Sequence, residues 1–170
     1  MKNISTNLII LLLFQFISLS SAFSICKKEK IVVSVIRPFK YNKPIGNQKA
    51  EEVTKYFCRQ LESSNSYVET IDKIDITKNR VNFNIRSSVD DLTIEELVNL
   101  GFKFKSDFII RGFISKLDSV LILTIWVIKI DSAYKKVFTV KSLNANFDSF
   151  KKYRIKNISK SINEYIIKQK

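Results

Sequence analysis

Two pairs of adjacent carboxylates, Asp90-Asp91 and Glu95-Glu96, are the residues best suited by type to acid–base chemistry. Such chemistry needs two carboxylates that share a site, but neighbouring residues on a helix point in different directions and rarely share a proton. Thr93 and Glu96 also have the spacing of a capping box. We therefore interpret these acids as negative charge at a helix start, where the helix dipole stabilises it.

Other catalytic signatures are missing from the sequence. It contains no histidine, the commonest general base and the commonest nitrogen ligand of zinc. Its three glycines, Gly46, Gly101 and Gly112, stand singly, whereas phosphate-binding loops need several close together. The sequence favours a non-enzyme, and we expect no catalytic residue, cofactor or metal.

The two cysteines, Cys26 and Cys58, have three interpretations. In an oxidising compartment they are compatible with one disulfide, which would close a loop of about 30 residues and contribute ~3 kcal/mol. Cys26 could instead carry a lipid, although the bulky Ile25 precedes it where a lipoprotein signal usually has a small residue. Two free thiols are the third interpretation.

The first 24 residues have the features of a secretory signal. Lys2 precedes an apolar stretch at 8–19, and small residues then allow cleavage after Ala22 or Ser24. An uncleaved anchor is the alternative, but the apolar run is shorter than the ~20 residues that a membrane span needs. We predict a signal peptide at 1–24, a single domain at 25–170, and a location outside the cytoplasm.

The chain is strongly basic, with 29 Lys and Arg against 16 Asp and Glu and a formal net charge of +13. Loss of Lys2 with the signal would lower this charge by one. A solvated basic surface is a sufficient explanation, but a positive field also favours anionic partners. The tyrosines are scattered instead of forming one platform with basic residues, which disfavours nucleic-acid binding.

Hydrophobic periodicity predicts the elements of the first half. Strands are expected at 31–36 and 67–71, with a loop at 40–46 and an amphipathic helix at 47–62. Residues 72–89 are compatible with an edge strand or an ordered loop. A short helix after Thr93 is expected to end at Gly101, which suits a left-handed cap.

The second half has a clearer pattern. Strands at 107–115, 119–130 and 136–140, joined by short polar connections, predict an antiparallel meander. A cationic amphipathic helix at 147–167 follows, and it either packs on the sheet or makes a peripheral contact with an anionic membrane. The predicted class is α+β, a mixed sheet with a C-terminal three-stranded meander and helices packed on one face.

The strand around Trp126 is the candidate contact surface because both of its alternating rows are apolar. One row is Leu121, Leu123, Ile125 and Val127, and the other is Val120, Ile122, Trp126 and Ile128. If helices cover one face only, the second row forms an apolar surface for a partner, and strand edges could add a peptide strand. The alternative is a central strand covered on both faces.

The order of elements and several short stretches resemble the amino-terminal domain of the periplasmic TolB family. The similar stretches are 31–33 followed by Pro38-Phe39, 107–112, 125–131 and 150–165. Related envelope proteins, including curli-secretion and penicillin-binding-protein-activator lipoproteins, are similar to nearly the same extent. The final helix differs from the TolB pattern at Lys156, Lys160 and Asn163, where the family tends to have His, Asp and Tyr.

The resemblance implies a role in the Tol-Pal system, which maintains the outer membrane and helps it constrict at division. A six-bladed propeller like that of TolB would need roughly 250 residues beyond Lys170 at about 40 per blade, so its contact with the peptidoglycan-associated lipoprotein is not carried over. The TolB family also has an N-terminal extension that binds TolA. Only residues 25–30 precede the first strand here, so TolA binding is not carried over either.

We therefore expect a non-catalytic periplasmic protein-binding module whose partners are envelope proteins of a Tol-Pal-like complex. The alternative is a secreted cationic effector that binds an anionic lipid or nucleic acid. Binding through an apolar strand face should survive high salt, whereas binding to an anionic target should weaken steeply with salt.

Overall fold

Six strands form one mixed sheet in the computed structural model, which describes residues 30–62, 66–143 and 146–169. The strands are β1 (Ile31–Arg37), β2 (Lys40–Tyr41), β3 (Ser66–Asp72), β4 (Phe108–Leu117), β5 (Val120–Lys129) and β6 (Lys135–Leu143). Their order is β3-β1-β4-β5-β6, and β2 pairs with β4. β1 is parallel to β3 and β4, whereas β4, β5 and β6 form the predicted antiparallel meander.

The helices follow the apolar periodicities. They are α1 (Gly46–Leu61), α2 (Lys73–Lys78), α3 (Ile94–Lys103), α4 (Phe147–Ser149) and α5 (Lys156–Lys168). A π-helical segment, Phe150–Ile155, joins α4 to α5, and we call the three together the C-terminal helix. No helix in the described ranges is long and apolar enough to span a membrane.

Each face of the sheet carries its own hydrophobic core. On one face, α1 and the C-terminal helix bury Phe57 and Ile162 against the strands. On the other, α2 and α3 bury Ile76, Leu97 and Leu100. The α+β class is confirmed, but the prediction that helices pack on one face only is wrong. Consecutive residues at the start of β4 are all buried, so both of its faces need a cover.

Helix α3 begins as predicted and ends differently. The Thr93 side chain accepts from the Glu96 amide and the Glu96 side chain accepts from the Thr93 amide, so the capping box is confirmed. Gly101, expected at the helix end, lies inside the helix. A Cβ at Gly101 would be 2.6 Å from Ile130 Cγ1, so the glycine permits close packing on the segment after β5.

Residues 72–89, predicted as an edge strand or an ordered loop, instead begin with the short helix α2. Asp72 caps α2 by accepting from the Ile74 amide at 2.8 Å, and turns then lead to α3. The loop predicted at 40–46 instead begins with β2, where Lys40 pairs with Phe113 and Tyr41 with Ile114.

The C-terminal helix packs on the sheet, which is one of the two placements predicted for it. Its apolar stripe is buried: Phe150, Ile155, Ile158, Ile162 and Ile166. Lys151 makes an ion pair with Glu52 of α1 across the helix interface. Packing of the apolar stripe leaves only the charged face of this helix for any contact with an anionic surface.

Candidate functional site

The two apolar rows of β5 lie in different environments. Leu121, Leu123, Ile125 and Val127 are buried in the core beneath α1 and the C-terminal helix. On the opposite face, Val120, Ile122 and Trp126 are half-buried. The three residues are therefore brought together on one sheet face, as the alternation in the sequence predicts.

Ile128, the fourth residue of the predicted contact row, has no exposed surface. It belongs to the core formed with Leu97 and Ile109, because α3 covers this end of the sheet. This burial corrects the prediction that Ile128 belongs to a contact surface. Helix α3 covers one half of the predicted row and leaves the other half open.

The open half extends across all three strands of the meander, and we call it the meander face. Strand register brings the side chains into cross-strand rows, since directly paired residues share a face. The rows are Arg111–Trp126–Val137, Phe113–Thr124–Thr139, Ser115–Ile122–Lys141 and Leu117–Val120–Leu143. Leu117 is 65% exposed, Val137 45% and Leu143 74%, so large apolar side chains face solvent across this surface.

Arg111 and Trp126 mark the boundary between the covered and open halves. The Arg111 guanidinium lies 5.0 Å from the centre of the Trp126 ring and donates to the Leu92 carbonyl at 2.8 Å. Burial lowers the pKa of Arg111, while the nearby Asp91 and Asp90 act in the opposite direction. A groove of about 250 Å³ runs here between α3 and the sheet.

The carboxylate pair Asp90-Asp91 does not form a shared acid–base site. Asp90 pairs with Lys73 at 2.6 Å, and Asp91 pairs with Lys40 at 2.7 Å. The hydrogen bond from Lys40 lowers the pKa of Asp91. The two acids therefore hold the segment before α3 against two different elements.

Glu96 is a buried structural carboxylate. Its oxygens accept from the backbone amides of Arg86 at 2.6 Å, Ser87 at 2.8 Å and Thr93 at 2.9 Å. Burial would raise the pKa of Glu96, but the hydrogen bonds from Ser87, Thr93 and Arg86 outweigh it and lower the pKa to about 2. Glu96 also lines a polar cavity of about 660 Å³, where this ionised group is poorly suited to proton transfer near neutral pH.

Of the two cysteines, Cys26 lies outside the described residues, so the predicted disulfide stays a prediction. Cys58 is half-buried in α1 against the core. Burial raises the pKa of the Cys58 thiol to about 12, which makes this thiol a weak nucleophile near neutral pH. Among the residues that the structure describes, no group of three or more acidic or thiol side chains is arranged to hold a metal.

Sequence reasoning missed Arg111, Leu117, Val137 and Leu143 as members of the meander face. The alternation in β5 identified one row of the surface, but its neighbours on β4 and β6 depend on strand register. The short connection between β4 and β5 was the available signal, because it brings Leu117 opposite Val120.

No known family model and no curated protein matches the chain. Among solved structures, it is similar to the C-terminal domain of LpoB from Salmonella enterica, with 10% identity, coverage of 71% of this chain and 90% of that chain, and a TM-score of 0.43. It is similar to the lipoprotein GNA1162 from Neisseria meningitidis, with 10% identity, coverage of 77% and 95%, and a TM-score of 0.45. It is also similar to TolB from Acinetobacter baumannii, with 9% identity, coverage of 83% and 28%, and a TM-score of 0.45. Likenesses this remote define neither an activity nor a partner.

Proposed function

We propose that this chain is a non-catalytic protein-binding module of the cell envelope, with a Tol-Pal-type role in outer-membrane integrity and cell division. The observation that carries the proposal is the meander face, where apolar side chains of three adjacent strands face solvent. The secretory signal predicted at residues 1–24 and the TolB-like stretches in the sequence support an envelope location. The partner is an envelope protein.

The exposed apolar side chains supply the driving force for binding. Full burial of a Val or Leu side chain contributes about 1.5–3 kcal/mol, and Leu117 and Leu143 are largely accessible while Val137 is about half accessible. Part of this gain is lost to the ordering of both partners. Ser115, Thr124 and Thr139 separate the apolar residues with polar groups, and the hydroxyls of Thr139 and Thr124 already hydrogen-bond each other at 3.4 Å.

A second function is favoured by the charge of the chain. The net charge of +13 and the exposed lysines of β6 and the C-terminal helix suit an anionic lipid or nucleic acid. The affinity of such an electrostatic contact falls as salt is added, whereas the affinity gained by burying the apolar meander face does not.

The experiment places a photo-crosslinking phenylalanine analogue at Val137 or Leu143 in the native host, with Phe102 as the control position. Phe102 is 62% exposed, but it lies on α3. We expect Val137 and Leu143 to crosslink the same envelope protein, and Phe102 not to do so. Irradiation of extracts held at about 0.5 M salt, where the Debye length falls to a few ångströms, should give the same crosslink.

A matched pair of variants tests the surface itself. Leu117→Ser removes an exposed apolar side chain of the meander face, and Ile74→Ser removes one from α2 that is 61% exposed. We expect the amount of envelope protein captured to fall with Leu117→Ser and to be unchanged with Ile74→Ser. Recovery of lipid or nucleic acid alone, and only at low salt, would support the second function and overturn the first.

A further inference from the structure

The outer edge of β6 adjoins the meander face and presents backbone groups in addition to side chains. β6 is the last strand in the sheet order, and no described strand pairs with its other edge. A nine-residue strand of this kind presents a row of backbone donors and acceptors over ~30 Å. Open edges are templates for the addition of another strand.

The charge along this edge is entirely positive. Lys135, Lys136 and Lys141 are exposed, and β6 contains no acidic residue. Within the described ranges none of the three makes an ion pair, whereas Lys40, Lys73 and Lys151 each have an acidic partner. The β6 lysines are therefore available to a partner that carries acids.

Each face of a strand added to β6 would meet both apolar and basic groups. On the meander face it would meet Val137 beside Lys135 and Lys141. On the opposite face lies a groove of about 230 Å³ between β6 and the C-terminal helix, and its lining includes Phe138, Val140, Arg154 and Ile158. A complementary segment therefore has apolar residues and acids on both of its faces.

A second copy of the chain fits this edge poorly. Pairing of β6 with β6 would bring six lysines onto two adjacent strands without an acid to neutralise them. The opposite sheet edge, β3, contains Glu69 and Asp72, but Asp72 already caps α2 and lies 3.9 Å from Arg37. Lysine on an edge commonly prevents self-pairing, and the same charge attracts an acidic segment.

We infer that the outer edge of β6 binds an extended acidic segment of a partner protein by strand addition. The segment pairs its backbone with β6 and directs acids to Lys135, Lys136, Lys141 and Arg154. This inference rests on the proposed function and names the chemistry of the partner segment.

The test uses three synthetic nine-residue peptides and the full mature chain. The first contains Glu and Val, with glutamates on both faces. The second has Lys at each Glu position. The third is the first with N-methylation at consecutive residues, so that both of its edges lose backbone donors. We expect the Glu/Val peptide to bind and to protect the amides of 135–143 from hydrogen exchange. The Lys peptide should not bind, and N-methylation should weaken binding by about tenfold or more because it removes backbone donors.

Two triple variants with equal loss of charge provide the matched control. Lys135→Gln, Lys136→Gln and Lys141→Gln neutralise the edge, while Lys43→Gln, Lys78→Gln and Lys103→Gln neutralise three exposed lysines on other elements. The first triple should weaken binding about tenfold, as expected for three exposed charge pairs, and the second about twofold or less. Equal losses would mean general charge attraction and would overturn the inference.

Other outcomes also decide the matter. Absence of binding, or exchange protection outside β6, overturns the inference. Self-association of the chain alone, with protection of 135–143, would make the occupant a second copy and overturn the inference of an acidic segment.

The two proposals fail separately. If peptide binding fails while Val137 and Leu143 still crosslink an envelope protein at high salt, only the edge inference is lost. If the peptide binds but that crosslink is absent, the proposed function is lost, and only the binding chemistry assigned to the β6 edge stands.

Discussion

Replacement of Glu96 by glutamine should destabilise the domain far more than an ordinary helix-start substitution. The Glu96 carboxylate accepts three backbone hydrogen bonds, two from residues 86 and 87 and one from Thr93. A glutamine amide keeps one acceptor oxygen but presents an NH₂ group where Thr93 donates. The variant therefore loses the negative charge, and its NH₂ group faces the N–H of Thr93, so that two donors meet within a buried site.

The size of the effect follows from the pKa of Glu96. Hydrogen bonding lowers this pKa from 4.5 to about 2 in the folded chain. Because a pKa difference of one corresponds to about 1.4 kcal/mol, the ionised group stabilises the fold by ~3 kcal/mol. The folded pKa is the lower one, so this contribution is fully present above pH 4.5 and is lost as the pH falls towards 2.

The assay is urea unfolding of the wild type, Glu96→Gln and Glu95→Gln across this pH range. Glu95 is exposed in the same helical turn and controls for net charge and the helix dipole. Near pH 7 we expect Glu96→Gln to lose ~3 kcal/mol of unfolding free energy and Glu95→Gln about 0.5 kcal/mol or less. The deficit of Glu96→Gln should shrink towards pH 2. Equal effects of the two variants, or a deficit independent of pH, would refute the assignment of Glu96 as a charged cap.

Three further predictions concern separate parts of the fold. Gly112→Ala should destabilise the domain by about 1–3 kcal/mol in thermal or urea unfolding, because the added Cβ would lie 2.6 Å from Cγ of the buried Phe39 ring. In the reduced protein, Cys58 should be alkylated slowly at neutral pH and rapidly after unfolding, since burial raises its thiol pKa to about 12; fast alkylation of the folded chain would contradict this. Arg111→Gln should shift the emission of Trp126, the single tryptophan, to longer wavelength by removing the guanidinium that covers the ring.

The elements that the sequence predicted well are those with a strong internal period. The stripes of α1 and the C-terminal helix and the alternation in β5 depend on neighbouring residues, so they are visible before any tertiary contact is known. The capping box at Thr93 and Glu96 is equally local. These features correctly indicated an α+β fold with a C-terminal meander.

The features that the sequence did not reveal depend on distant contacts. β2 has two residues and exists because Phe113 and Ile114 lie beside it. Gly101 matches a common helix end, yet the proximity of Ile130 keeps it inside α3. How much of the β5 row α3 covers depends on where that helix lies across the sheet, which periodicity does not encode. The alternation in β5 therefore places Ile128 in the contact row although this residue is buried.

The meander face and the β6 edge share Val137 and Lys141, and this overlap limits how a partner can bind both. A strand added to β6 extends the sheet beside these residues and enlarges the same apolar face, since paired strands alternate their side chains in register. A single envelope protein with an acidic extended segment next to an apolar surface could therefore cover both features together. Its apolar contacts would resist salt, while its contacts with Lys135, Lys136 and Lys141 would weaken. We expect salt to reduce the affinity of such a partner only in part, and the edge triple variant to abolish most of that salt dependence.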